Sequence, residues 1–190
     1  PKSVTYQLVE PVLRMPERVR VICREGRLVS LLADLSVHRL DMVIADRPMP
    51  ADVKVRAYNH LLGRSELAVF AAPALIKTFK AAFPQLLNDA PFLLPGEAVA
   101  IRGGVDQWFD NNGIRPRIVG EFDDGALMKA FGQASGATFP SPSAIESEIV
   151  RQYRVQPIGR ASGVRERYYA ISAERRLKHP GVLAITTAAK

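Results

Sequence analysis

The chain has 190 residues, of which 47% are hydrophobic and 24% charged, which predicts a globular protein of one ordinary domain or two small lobes. A net charge of +7 invites a nucleic-acid partner, but the basic residues are scattered, no arginine-rich block or zinc-finger spacing occurs, and aromatics make up only 7%. No apolar run approaches the roughly 20 residues that span a bilayer, and Pro1-Lys2-Ser3 is not a basic-then-apolar leader, so no membrane partner is expected. The single cysteine, Cys23, excludes an intrachain disulfide and suits a reducing cytoplasm.

In chain order, Ser3 is placed to cap a helix over residues 3–13, with Val4, Leu8 and Val12 on one stripe; Pro11 bends it or removes a bond, and Pro16 closes it. Residues 18–23 alternate as a strand with Val19, Val21 and Cys23 on one face, Cys23 serving as small buried filler. After Gly26, Leu28, Leu31, Leu32 and Leu35 form a helical stripe. The run Leu40-Asp41-Met42-Val43-Ile44-Ala45 reads as a buried strand ending at Asp46-Arg47-Pro48. This alternation predicts a mostly parallel sheet with crossover helices.

Residues 53–70 hold one or two strands broken near Gly63, and Ala71-Ala72-Pro73 turns into a helical segment over 75–87, interrupted at Pro84. A second series follows: a strand at Phe92-Leu93-Leu94, a helix over 99–111 stopped by Asn112-Gly113, a strand over 117–122, and a helix over 126–134 ended near Gly136. Ala137-Thr138-Phe139 is a strand halted by Pro140, Ser143 is placed to cap a short helix, residues 167–173 form a late strand, and His179-Pro180-Gly181 precedes a last helix from Val182. Periodicity alone gives an α/β chain with room for two lobes.

Catalytic motifs are absent. The sequence has no G-x-S-x-G, no phosphate loop, no H-E-x-x-H and no Cys/His pairing, so it does not read as an enzyme and calls for no cofactor. His38, His60 and His179 lie in different segments, as surface or capping residues do, and Gly103-Gly104 lacks the strand that a dinucleotide loop requires. Glu121-Phe122-Asp123-Asp124 falls where a strand gives way to a helix. Its carboxylates either cap the helix or form an oxygen-rich lip for a hard cation or basic ligand, with Glu121, Asp123 and Asp124 as candidate cation ligands. Asp46-Arg47, at another strand end, is equally ambiguous.

Several strings resemble the effector-binding domain of LysR-type transcriptional regulators across almost the whole chain. Leu40 to Asp46, Gln107-Trp108-Phe109 and Asn112-Gly113 match features shared widely in that family. Gly120-Glu121-Phe122-Asp123-Asp124-Gly125-Ala126-Leu127-Met128-Lys129-Ala130-Phe131-Gly132, Tyr169-Ala170-Ile171-Ser172-Ala173-Glu174-Arg175 and His179-Pro180 are narrower, similar to its branch that controls sodium/proton antiporters.

The resemblance implies two Rossmann-like lobes of the type-2 periplasmic-binding-protein kind, joined by two crossover strands near residues 68–72 and 167–170 and holding an effector between them. Lobe I is expected over 1–70 and 168–190, lobe II over 71–167. A winged helix-turn-helix, a linker helix and the first strand of lobe I are expected before Pro1, outside this sequence. The implied effector contacts are Lys2, Ser3, Asp46, Arg47, Gly96, Glu97, Glu121, Phe122, Asp123, Pro140 and Ser141. Crowded acids at 121–124 disfavour an anion and fit a sodium ion or other small effector. The implied partners are a second copy, as a homodimer or tetramer with the 28–35 helix beside the partner's 99–111 helix, and promoter DNA bound through the missing N-terminal domain. A cytoplasmic, sodium-responsive activator of an antiporter gene is thus the first reading; a periplasmic-type solute-binding protein is the alternative.

Overall fold

The computed structural model describes residues 2–16, 18–174 and Ile185. The expected turn at His179-Pro180-Gly181 and the last helix from Val182 lie outside the described residues. The chain divides into two compact units, one of residues 1–2 and 65–166, the other of 3–64 and 167–190. Two long strands, β2 (Tyr58–Ala71) and β6 (Gln156–Ser172), each contribute residues to both units.

In the unit of residues 3–64 and 167–190, most of helix α1 (Lys2–Val9) is followed by a 3-10 turn (Glu10–Arg14), and Val4, Leu8 and Val12 are all buried as the stripe predicts. Pro11 has no N–H to continue the ladder, so the helix tightens there rather than running on to residue 13. The helix also starts at Lys2, one residue before the expected cap at Ser3. Helix α2 (Leu28–Ser36) buries Leu32 and Leu35 against Val43 and Ile171, with Leu28 and Leu31 partly buried around them. At about 1.5–3 kcal/mol per fully buried large apolar side chain, this cluster anchors β1 (Val43–Ala45), which pairs antiparallel with β6.

The expected strand over 18–23 does not form, and Cys23 is exposed rather than buried. The alternation survives: Val19 and Val21 are half-buried while Arg18, Arg20 and Ile22 are exposed. What is lacking among the described residues is a ladder partner, without which alternating residues make no strand.

In the unit of residues 1–2 and 65–166, β3 (Pro91–Pro95) and β4 (Arg117–Phe122) run parallel, connected by helix α4 (Arg102–Asn112), as the second series predicts. Val105, Trp108 and Phe109 of α4 pack with Phe92 and Leu94 of β3 and Leu67 and Val69 of β2 in one core. Helix α5 (Gly125–Ser135) follows β4, then β5 (Phe139–Pro142), a 3-10 turn (Ser143–Ile145) and helix α6 (Glu146–Tyr153). Gly113 and Gly136, at φ +63° and +65°, end α4 and α5 in the left-handed conformation that glycine adopts without strain.

The four-stranded ladder has the order β1-β6-β2-β5, with β1–β6 and β2–β5 antiparallel against the parallel expectation, whereas β3–β4 and the bridge between Phe92 and Thr138 are parallel. Strand β2 passes through Gly63 unbroken. Strand β6 begins at Gln156, well before the expected start at 167, because strand pairing overrides the Gly and Pro residues that obscure its pattern. Pro140 and Pro142 lie within β5, at the edge of the ladder, where a missing N–H is tolerated. The helix expected over 75–87 shrinks to α3 (Pro73–Ile76) and a 3-10 turn (Gln85–Leu87): Pro84 breaks the backbone ladder, and Thr78 Oγ1 donates back to the Leu75 carbonyl at 2.7 Å.

Candidate functional site

Because β3 and β4 are parallel neighbours, their C-terminal ends lie side by side, with Pro95 opposite Phe122. The Gly96 N–H donates to the Phe122 carbonyl at 2.8 Å. A Cβ on residue 96 would fall 2.0 Å from Asp123 Oδ1, so the Asp123 carboxylate occupies space that only glycine leaves open. Glu97, next along, is exposed. The ring of Phe122 packs on Phe131 of α5 at 5.1 Å between centroids.

Asp124 takes the capping role that one reading of the acidic run gives it. Its Oδ1 accepts from the Leu127 N–H at 2.7 Å at the start of α5, and its Oδ2 accepts from Lys2 Nζ at 2.8 Å. The hydrogen bond from Lys2, then that from Leu127, holds the carboxyl below its ordinary range against a small opposing effect of burial. Glu121 is drawn elsewhere: it accepts from Arg102 Nη1 at 2.8 Å, while Arg102 also reaches Asp106 at 2.9 Å and the Pro95 carbonyl at 2.9 Å. The acidic trio therefore does not converge, and among the described residues no three His, Cys, Asp or Glu side chains are placed to hold a metal ion. Pro140 and Ser141 are buried in β5, opposite Val69 and Ala68 of β2.

Lys2, Gly96, Glu97, Glu121, Phe122, Asp123, Asp124, Pro140 and Ser141 thus belong to one unit. In the other, Asp46 and Arg47 follow β1 and pair with each other, Arg47 Nε to Asp46 Oδ1 at 3.1 Å, and Ser3 stands in the first turn of α1. Of the histidines, His38 has φ +57° just past α2, and its N–H donates to the Leu35 carbonyl at 3.1 Å. His60 Nε2 lies 3.0 Å from Ser172 Oγ.

Sequence reading missed Lys129. This cation is only 4% exposed, on the face of α5 that also buries Met128 and Gly132, and its Nζ donates to the Gly125 carbonyl at 3.0 Å. Burial lowers its pKa, opposed by the charges of Glu166, Asp124 and Glu148, and burial likewise raises that of Tyr153 nearby. The signal was present as a lysine one turn from Gly125 and adjoining the apolar stripe, but a lysine at such a position reads by default as a snorkelling surface residue.

A parallel β3–α4–β4 unit, with turns at the carboxyl ends of its strands, and two strands, β2 and β6, that each contribute residues to both units make an architecture of the kind that binds ligands at strand ends. The chain belongs to the LysR substrate binding domain family, which it matches over residues 4–190; it is a domain of a regulator and not an enzyme. It is 34% identical, over 188 residues and 96% of its length, to the transcriptional activator protein NhaR of Escherichia coli K12, and equally to that of Shigella flexneri. It spans 61% of the length of these relatives. Among solved structures it resembles CbnR, a LysR family transcriptional regulator, with TM-score 0.71 at 14% identity over 99% of this chain and 64% of that one. It likewise resembles the effector binding domain of QuiR in complex with shikimate, with TM-score 0.65 at 17% identity over 97% of this chain and 88% of that one. These likenesses establish the fold as that of LysR effector-binding domains, two α/β lobes of the type-2 periplasmic-binding-protein kind. No helix among the described residues is long and apolar enough to cross a membrane.

Proposed function

We propose that this chain is the effector-sensing and dimerisation domain of a LysR-type activator that responds to sodium and controls a sodium/proton antiporter gene, with promoter DNA bound through an N-terminal domain outside this sequence. The observation that carries this reading is the 34% identity to NhaR over 96% of the chain, far above the 14% and 17% shared with CbnR and QuiR. The two units serve as lobes I and II, and the effector contacts are the strand ends and helix starts around Lys2, Ser3, Asp46, Arg47, Gly96 and Asp123. Support comes from the chemistry of these turns: Asp123 stands beside a glycine that leaves it room, and Asp124 is already neutralised by Lys2. A small cation suits that balance better than an anion.

A sensor shifts its equilibrium only by the difference in its affinity for two states. The test is promoter binding by the full-length regulator in sodium and in potassium at equal ionic strength, which cancels the counterion effect on DNA affinity. The reading expects sodium to change the affinity or the footprint while potassium leaves both unchanged. Identical behaviour in the two salts would count against it.

A further inference from the structure

Scattered along the sequence, the basic residues are not scattered between the two units. Residues 3–64 and 167–190 hold 15 Lys and Arg against 8 Asp and Glu, whereas residues 1–2 and 65–166 hold 11 against 11. The whole net charge of +7 therefore belongs to one unit, and the other is neutral. Local packing turns that charge outward. Along residues 18–21, Val19 and Val21 are half-buried while Arg18 and Arg20 are exposed; along 53–57, Val53, Val55 and Ala57 pack against the Leu32–Leu35 cluster while Lys54 and Arg56 are exposed. Arg24 and Arg27 are exposed as well. None of these six cations makes an ion pair among the described residues, although Arg14, Arg39 and Arg47 of the same unit each do. Arg27 even stands at the N-cap of α2, whose first turn contains no acid, where the helix dipole disfavours a cation.

We propose that the basic unit is an electrostatic contact surface for the phosphate backbone of duplex DNA beside the sequence that the N-terminal domain reads. The inference rests on the promoter-binding reading above and adds a second, sequence-independent contact to it. Three features select this partner. The cations are spread over two segments of the unit instead of lining one pocket, which suits a long polyanion better than a small anion. Of the 15 basic residues 12 are arginine, whose planar fork matches phosphate oxygens in pairs. A domain already anchored on the promoter also holds the unit close to the duplex, so contacts too weak to bind DNA by themselves contribute to the affinity of the whole.

The test is the salt dependence of promoter binding by the full-length regulator. In Arg24→Gln/Arg27→Gln/Lys54→Gln/Arg56→Gln, the slope of log affinity against log salt should become shallower by about 2 or more, since each lost phosphate contact removes about 0.9. Affinity at 0.1 M salt should fall about tenfold or more. Preference for the promoter over unrelated duplex should stay unchanged, because phosphate contacts carry no sequence information. The control removes equal charge from the neutral unit: Lys77, Lys80, Arg151 and Arg154 are also exposed and without an ion pair among the described residues. Lys77→Gln/Lys80→Gln/Arg151→Gln/Arg154→Gln should keep the wild-type slope. If the first fourfold variant does not fold or changes oligomeric state in light scattering, Arg24→Gln/Arg27→Gln and Lys54→Gln/Arg56→Gln take its place separately, each expected to lower the slope by about 1 or more. A wild-type slope in these variants, or equal losses in both fourfold variants, overturns the inference and leaves the regulator reading intact. A full-length protein with no preference for the promoter overturns both.

Discussion

Gly132 lies where α5 crosses β5, and replacing it with alanine sets two effects of opposite sign against each other. An alanine in a helix interior is worth up to about 1 kcal/mol over glycine. Here, however, the new Cβ would stand 2.1 Å from Cδ1 and 2.5 Å from Cε1 of Phe139. That ring cannot easily retreat, being fully buried and stacked on Phe70 at 5.7 Å and 17°. Overpacking a tight core costs about 1–3 kcal/mol, more where a rigid group must move, so the net effect of Gly132→Ala is a loss of about 1–2 kcal/mol. For a chain of this size, that lowers the thermal midpoint by about 3–6 °C. Gly103→Ala is the control: nothing lies within 4 Å of its added Cβ, so it should hold or raise the midpoint. Thermal and urea unfolding of both variants decide the matter. A Gly132→Ala protein as stable as wild type would refute the α5–β5 packing described here.

Asp124→Ala should cost about 1 kcal/mol through the lost cap of α5, and Asp124→Asn clearly less. Because the folded pKa of Asp124 lies below 3.8, its stabilisation is present above that pH and fades as pH falls through the folded value; urea titrations from neutral to strongly acidic pH should show wild type and Asp124→Asn converging there. Lys129 has the opposite linkage. With its folded pKa lowered from 10.5 by burial, wild type should gain stability as pH rises from that folded value to 10.5, and Lys129→Met should flatten this limb of a pH–stability curve.

Elements that bury a full stripe were legible in the sequence. Val4, Leu8 and Val12 identify the first helix, and Leu32 and Leu35 the second, because a buried face leaves its period in the residues. The turns around Asn112-Gly113 and Gly136 were equally readable, since positive φ restricts the choice of residue. Pairing was not. Whether 18–23 forms a strand depends on a ladder partner that no local pattern contains, and β6 is a strand through Pro157 and Gly163 because its neighbours accept it. At the site, the acidic run announced a cap at Asp124, but the division of labour among its carboxylates depends on Lys2 and Arg102, distant in sequence. Lys129 stayed hidden because its burial is a property of packing and not of spacing.

Asp123 offers the most direct test of sodium sensing. The chain and its Asp123→Asn variant, which keeps the shape and removes the charge, can be unfolded thermally in sodium chloride and in potassium chloride at one ionic strength. Sodium at ten times its Kd would stabilise the folded state by about 1.4 kcal/mol, or roughly 3–5 °C. A sodium sensor at this turn predicts a higher midpoint in sodium than in potassium for wild type, a smaller gap for Asp123→Asn, and an unaltered fold of the variant without salt. Equal midpoints in the two salts for wild type, or an undiminished gap in Asp123→Asn, would contradict it.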